Sequence, residues 1–161
     1  FLGKAKMKGK NSLFSGKMRS ASGNISFMPK KGPKSEFAKF IANRSDIDPN
    51  GMYDVIAHGN WRAIEIHSGG KDILINSRQA AKLIRKQPGF KKAKAVRLLS
   101  CKTGAHPEGF AQHLANALGK PVYAPNMTIH SYPNGTYWIS DNGKRGEFVK
   151  FVPGGVKHGR K

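Results

Sequence analysis

Two short apolar runs dominate the hydrophobic pattern of the chain. Met52-Tyr53-Asp54-Val55-Ile56-Ala57 ends in His58-Gly59, and Ala95-Val96-Arg97-Leu98-Leu99-Ser100 ends in Cys101. Runs of this length, rich in branched side chains and bounded by turn formers, read as buried strands of a parallel sheet. Upstream, Asn24 to Met28 is a short strand closed by Pro29 and the loop Lys30 to Lys34. Ser35 offers a helix N-cap, Glu36 suits the positive helix end, and Phe37, Phe40 and Ile41 share one face of a helix ending near Arg44. Asp48-Pro49-Asn50-Gly51 is a strong turn signal.

Between the two runs, Trp61–Ile66 and Asp72–Ile75 flank Ser68-Gly69-Gly70-Lys71 and predict a hairpin at the sheet edge. Ser77 caps a predicted helix through Gln87, with Ala80, Leu83 and Ile84 inward and Pro88-Gly89 ending it. After Cys101, Pro107 in a first turn, Glu108 beside the dipole and Phe110, Leu114 and Leu118 predict a third helix. Gly119 is its expected C′ residue, and Pro121 blocks continuation. Pro121–Ala124 reads as a short strand. Thr128–Tyr132, Thr136–Ser140 and Glu147–Val152, joined by Pro133-Asn134-Gly135 and Asp141-Asn142-Gly143, read as an antiparallel meander. This order predicts an α/β fold. Its mostly parallel sheet is flanked by helices and carries an antiparallel hairpin and a C-terminal antiparallel meander. Residues 1–24, mostly Gly, Ser, Lys and Asn without an apolar period, read as a basic flexible arm or linker, and 25–161 as a single α/β domain.

Length and charge narrow the partners. A chain of 161 residues is one domain with a sizeable core. No stretch approaches the ~20 apolar residues of a membrane span, and no signal-peptide pattern opens the chain, so no stable membrane insertion is expected. Phe1 reads as the start of a segment cut from a longer polypeptide. The single cysteine permits no internal disulfide and suits a reducing cytosol. The formal charge is +20, from 29 basic and nine acidic residues, and no carboxylate precedes Glu36. Such a field favours nucleic acid, an anionic membrane or an acidic protein partner.

The chemistry sits at the strand ends. If the two runs are parallel neighbours, their carboxyl ends bring His58 and Cys101 to the edge where open α/β sheets build sites. A lone thiol beside a histidine is a candidate nucleophile and base. The remaining histidines, His67 at a hairpin turn, His106, His113, His130 and His158, have no metal-ligand spacing and read as surface residues. No metal and no cofactor is expected.

A hydrophobic strand ending in His-Gly, followed 43 residues later by one ending in Ser-Cys, resembles the pattern of clan CD cysteine peptidases. These form the caspase-like group, which includes clostripain, gingipains and the self-cleaving domain of large bacterial toxins. The caspase pattern places its histidine about 50 residues before the cysteine. The stretch Val96 to Gly104, with Phe110-Ala111-Gln112 and Pro121 to Pro125, also resembles the C-terminal effector modules of bacterial polymorphic toxins: Rhs/YD-repeat, Tc-type and contact-dependent inhibition proteins. These resemblances imply a caspase-like sheet and a secreted toxin effector, delivered into the cytosol of a target cell and acting there on proteins. By the same resemblance Cys101 attacks a carbonyl, His58 protonates the leaving amine and the Gly59 amide faces the oxyanion. Ser100, Lys102, Asn60 and Arg62 line the substrate. The positive surroundings, Lys102 included, would lower the thiol pKa, and glycine at 59 would let substrate approach the backbone. An acidic immunity protein is the implied partner if the target is bacterial.

Two other functions fit the residues. A metal-independent ribonuclease toxin would use His58, Arg62, His67 and Lys71 on RNA, with Tyr123, Tyr132, Tyr137 and Trp138 stacking bases. A basic module could also bind nucleic acid or lipid without catalysis.

Overall fold

A computed structural model of the protein describes residues 24–48 and 51–154. The predicted flexible arm lies outside the described residues except for Asn24. The central sheet has the order β1-β2-β6-β7-β11, built from β1 (Asn24–Ser26), β2 (Met52–Ile56), β6 (Ala95–Leu99), β7 (Val122–Pro125) and β11 (Phe148–Phe151). The first four strands are parallel and β11 closes the sheet antiparallel to β7. The expected α/β class with a mostly parallel sheet is what the chain adopts.

Alternation along β2 and β6 feeds two cores. Tyr53 and Val55 with Val96 and Leu98 face α2 (Ser77–Arg85) and α3 (Phe110–Leu118), where Ala80, Ile84, Phe110 and Leu114 are buried. Ile56 and Leu99 face the other way, against Ile41 of α1 (Glu36–Ile41) and against Ile129 and Ile139. Strands buried on both faces show no polar alternation, which is why both runs are continuously apolar in sequence.

The hairpin forms from β4 (Ile64–Ser68) and β5 (Lys71–Ile75), and Gly69 and Gly70 both take positive φ, as a type I′ turn demands. It does not extend the central sheet. Instead it pairs with β3 (His58–Gly59) in a separate three-stranded sheet, and His67, expected at the turn, lies within β4. The meander is β8 (Ile129–Ser131), β9 (Tyr137–Asp141) and β10 (Lys144–Arg145). The segment expected as its third strand, Glu147–Val152, supplies β11 of the central sheet, because β7 has a free edge there to satisfy. Two helix starts also differ. Asn76, not Ser77, caps α2 through a reciprocal pair with Gln79. Helix α3 begins at Phe110 behind Gly109, so Pro107 and Glu108 belong to the preceding loop. Among the described residues no helix is long and apolar enough to cross a membrane.

Candidate functional site

The parallel register pairs Asp54 with Arg97 and Ile56 with Leu99. His58 and Cys101 each stand two residues beyond the Ile56–Leu99 pair, past the carboxyl ends of the neighbouring strands β2 and β6, with His58 already in β3 and Cys101 in a turn. Their loops touch. A methyl group built on Gly59 would lie 3.0 Å from the Thr103 side-chain methyl and 3.2 Å from that of Ile64. Glycine at 59 therefore serves the contact between the histidine and cysteine loops, where the sequence suggested open backbone for a substrate. Gly104 has the same kind of role: a Cβ there would collide with the Ala124 carbonyl, and its N–H donates to Pro125 O at 2.8 Å.

His58 Nε2 lies 2.9 Å from the Lys34 carbonyl. A carbonyl only accepts, so Nε2 carries the hydrogen and, in the neutral ring, Nδ1 is left as the basic nitrogen. The loop carrying that carbonyl is pinned through the Lys34 ammonium, 2.9 Å from Glu65 Oε1 and 3.1 Å from Asp72 Oδ2. These two carboxylates hold the Lys34 pKa above its ordinary value. Asp72 also accepts from His67 Nδ1 at 2.8 Å, and this bond, with that from Lys34, lowers its own pKa.

Cys101 is half-buried against the second core, with Sγ 3.9 Å from the Ile129 carbonyl. Burial pushes its thiol pKa up, and the Asp141 charge adds to the rise. The Ile129 contact and Lys102 act the other way and do not overcome it. The depressed thiol expected from the positive surroundings is thus reversed. The Lys102 ammonium is itself 3.9 Å from Asp141 Oδ2, so part of its field is spent on that carboxylate. We expect alkylation of the folded protein by iodoacetamide to have a pH midpoint above that of free cysteine. A midpoint at or below it would mean that cationic neighbours outweigh burial.

The flanking residues divide into braces and exposed groups. Ser100 is 1 % exposed and braces the turn: Thr103 Oγ1 donates to Ser100 O at 3.1 Å, leaving Ser100 Oγ to donate to Thr103 Oγ1 at 3.1 Å. Its hydroxyl does not face solvent. Asn60 Oδ1 accepts from the N–H groups of Arg62 at 2.7 Å and Ala63 at 3.1 Å, which shapes the loop after β3. Lys102 sits at φ 58°, the left-handed region, immediately after the cysteine, and its side chain is half exposed. Arg62 lies 4.7 Å over the Trp61 ring, which also stacks with His106 at 4.9 Å. The Trp61 carbonyl accepts from Phe110 N–H at 2.7 Å, so the histidine loop crosses the start of α3. Of the ribonuclease set, His58 and His67 both engage the Lys34–Asp72 cluster, and His67 is committed to Asp72.

One polar group escaped the sequence reading. Asp54, inside the first apolar run, is 1 % exposed and accepts from Arg44 (Nε 3.0 Å, Nη2 2.6 Å) and Arg97 (Nε 2.8 Å, Nη2 2.7 Å). Arg97 goes on to donate to Asp46 at 2.9 Å and to the Tyr137 hydroxyl at 2.8 Å, and Tyr137 donates to Asp46. Burial would raise the Asp46 pKa. The bonds from Arg97 and Tyr137 outweigh it and hold the carboxyl below its ordinary range. The signal available was a pair of opposite charges within two apolar runs.

No curated protein and no solved structure matches the chain. A family model described as Domain of unknown function (DUF8616) matches residues 23–139, a span that holds both His58 and Cys101, and the chain belongs to that family.

Proposed function

We propose that the protein is the effector domain of a secreted bacterial toxin, and that it uses Cys101 and His58 for thiol catalysis on target-cell proteins as a peptidase-like hydrolase or transferase. The observation that carries this reading is the register of β2 against β6, which delivers a histidine and the only cysteine two residues past the same rung. The orientation of His58 supports it. With Nε2–H held by the Lys34 carbonyl, Nδ1 is the nitrogen available to take a proton, and a third group orients the base.

In this mechanism His58 Nδ1 accepts the Cys101 proton as sulfur attacks the substrate carbonyl. The proton then passes to the leaving amine as the carbon–nitrogen bond breaks, giving an acyl-thioester. Water, or another acceptor in a transferase, attacks the thioester and regenerates the thiol. A thiol kept neutral by burial needs such a base at the moment of attack. The protein acts in the cytosol of the recipient cell. If that cell is bacterial, the producer carries an acidic immunity protein steered by the +20 field.

The test is incubation of the purified protein with a target-cell extract, before and after iodoacetamide treatment. Protein fragments or acyl adducts that disappear on alkylation are expected. Cleavage of RNA that survives alkylation would overturn the thiol mechanism in favour of the ribonuclease.

A further inference from the structure

The β8–β9–β10 sheet uses its two faces differently. Ile129 and Ile139 are paired and buried on the inner face. The next rung, His130 with Trp138, turns outward, and Tyr132 stands two residues after His130, just past the end of β8. Trp138 stacks with His130 at 5.1 Å and packs against Tyr132 at 4.6 Å with the two rings tilted by 37°. Trp138 is 40 % and Tyr132 55 % exposed. Arg145 pairs with Ser140, two residues beyond Trp138, and so belongs to the same outward face. Of the three rings Trp138 alone borders an open cleft of about 530 Å³, which Arg145 and Glu147 also line and which reaches in to Tyr137, Ile139 and Phe148.

We propose that this face is a stacking platform for single-stranded nucleic acid. Cross-strand aromatic pairs stabilise a hairpin, yet the inner face already anchors this one. The exposed part of Trp138 and the more open Tyr132 ring offer π surface to a ligand. Bases and sugars both fit such surfaces, and the +20 charge of the chain selects the polyanion. A duplex keeps its base faces stacked internally, whereas a single strand can lay them on the rings. The platform uses Trp138, Tyr132 and Arg145. It does not use Tyr137, which the sequence grouped with them, because that hydroxyl points inward to Asp46 and Arg97. The inference concerns binding alone, rests on none of the residues of the thiol mechanism, and stands or falls separately from it.

The experiment uses full-length Trp61→Phe protein, in which Trp138 is the one remaining tryptophan. The ligands are single-stranded oligoadenylate DNA, a DNA hairpin duplex, polyglutamate and a neutral β-glucan oligosaccharide, each at several salt concentrations. Oligoadenylate should quench Trp138 fluorescence and bind more tightly than the other three. Tyr132→Ala should raise its Kd about fivefold or more, the loss typical of one stacked base, while Tyr132→Phe keeps wild-type affinity. Arg145→Gln should lower the slope of log Kd against log salt by about one. Equal quenching by polyglutamate, tighter binding of the glucan, or an unchanged Kd in Tyr132→Ala would each overturn the platform. Tyr132 is exposed, so its substitution leaves the fold intact and the result readable.

Discussion

Asp54→Asn should destabilise the protein by about 3–5 kcal/mol, the cost of breaking a buried pair and leaving the partner charge uncompensated. Two guanidiniums, Arg44 and Arg97, converge on that one carboxylate, and the Arg44 and Asp54 side chains are each 1 % exposed. An amide neutralises the acceptor while both cations stay buried. For a domain of this size the loss corresponds to roughly 6–20 °C in melting temperature. Urea unfolding of the variant beside the wild type measures it, and an unchanged midpoint would show that the cluster adds nothing net. Replacing Asp54, Arg44 and Arg97 together by apolar residues of similar volume should recover much of the loss, because the one charge left without its guanidinium partners, Asp46, is half exposed to water. Acid should find the same network through Asp46. Its folded pKa lies below the unfolded one, so its contribution is complete above the ordinary carboxylate range and disappears as pH falls through the lowered value.

On the proposed thiol mechanism, expression of the protein in a host cytosol should slow growth, Cys101→Ala should abolish that effect, and His58→Ala should lower activity by about 10²–10⁴-fold, the usual contribution of a positioned acid–base group. The first variant has no nucleophile. The second keeps the thiol but removes the group proposed to take its proton, a larger handicap when burial has already raised the thiol pKa. Growth curves of the induced host give the readout, and melting temperatures establish that both variants fold. Cys101→Ser keeps the shape of the site if Cys101→Ala loosens the packing against Ile129. Full toxicity in a folded Cys101→Ala protein would remove the thiol from the mechanism.

Much of this arrangement was legible in the chain. Val55, Ile56, Leu98 and Leu99 announce strands buried on both faces, and the residues after them announce the sheet edge. What the sequence hid was contact between segments distant along it. The start of α3 is set by the Trp61 carbonyl receiving Phe110 N–H, and no local helix signal encodes that bond. Asp54 and Arg97 look like interruptions of two apolar runs until the register places them opposite each other. Phe148–Phe151 reads as a strand from its own residues, and only the unpaired edge of β7 decides which sheet it joins. The thiol pKa went the other way because local charge is visible in sequence and burial under β8 is not.

The return of β11 to the central sheet also gives the late-made part of the chain a protective role. Strands β1, β2, β6 and β7 can align as soon as α3 is available, but the outer edge of β7 then lies bare, an open template for another chain. Only the arrival of Phe148–Phe151 covers it, and Gln112 and Asn116 of α3 fasten the end through Val152 O and Gly154 N–H. In a nascent chain made from its N-terminus, nothing covers this edge until Phe148–Phe151 emerges. Pulled from the other end, the folded protein would release β11 first and unzip its sheet from the edge, before any parallel rung between the histidine and cysteine strands is broken.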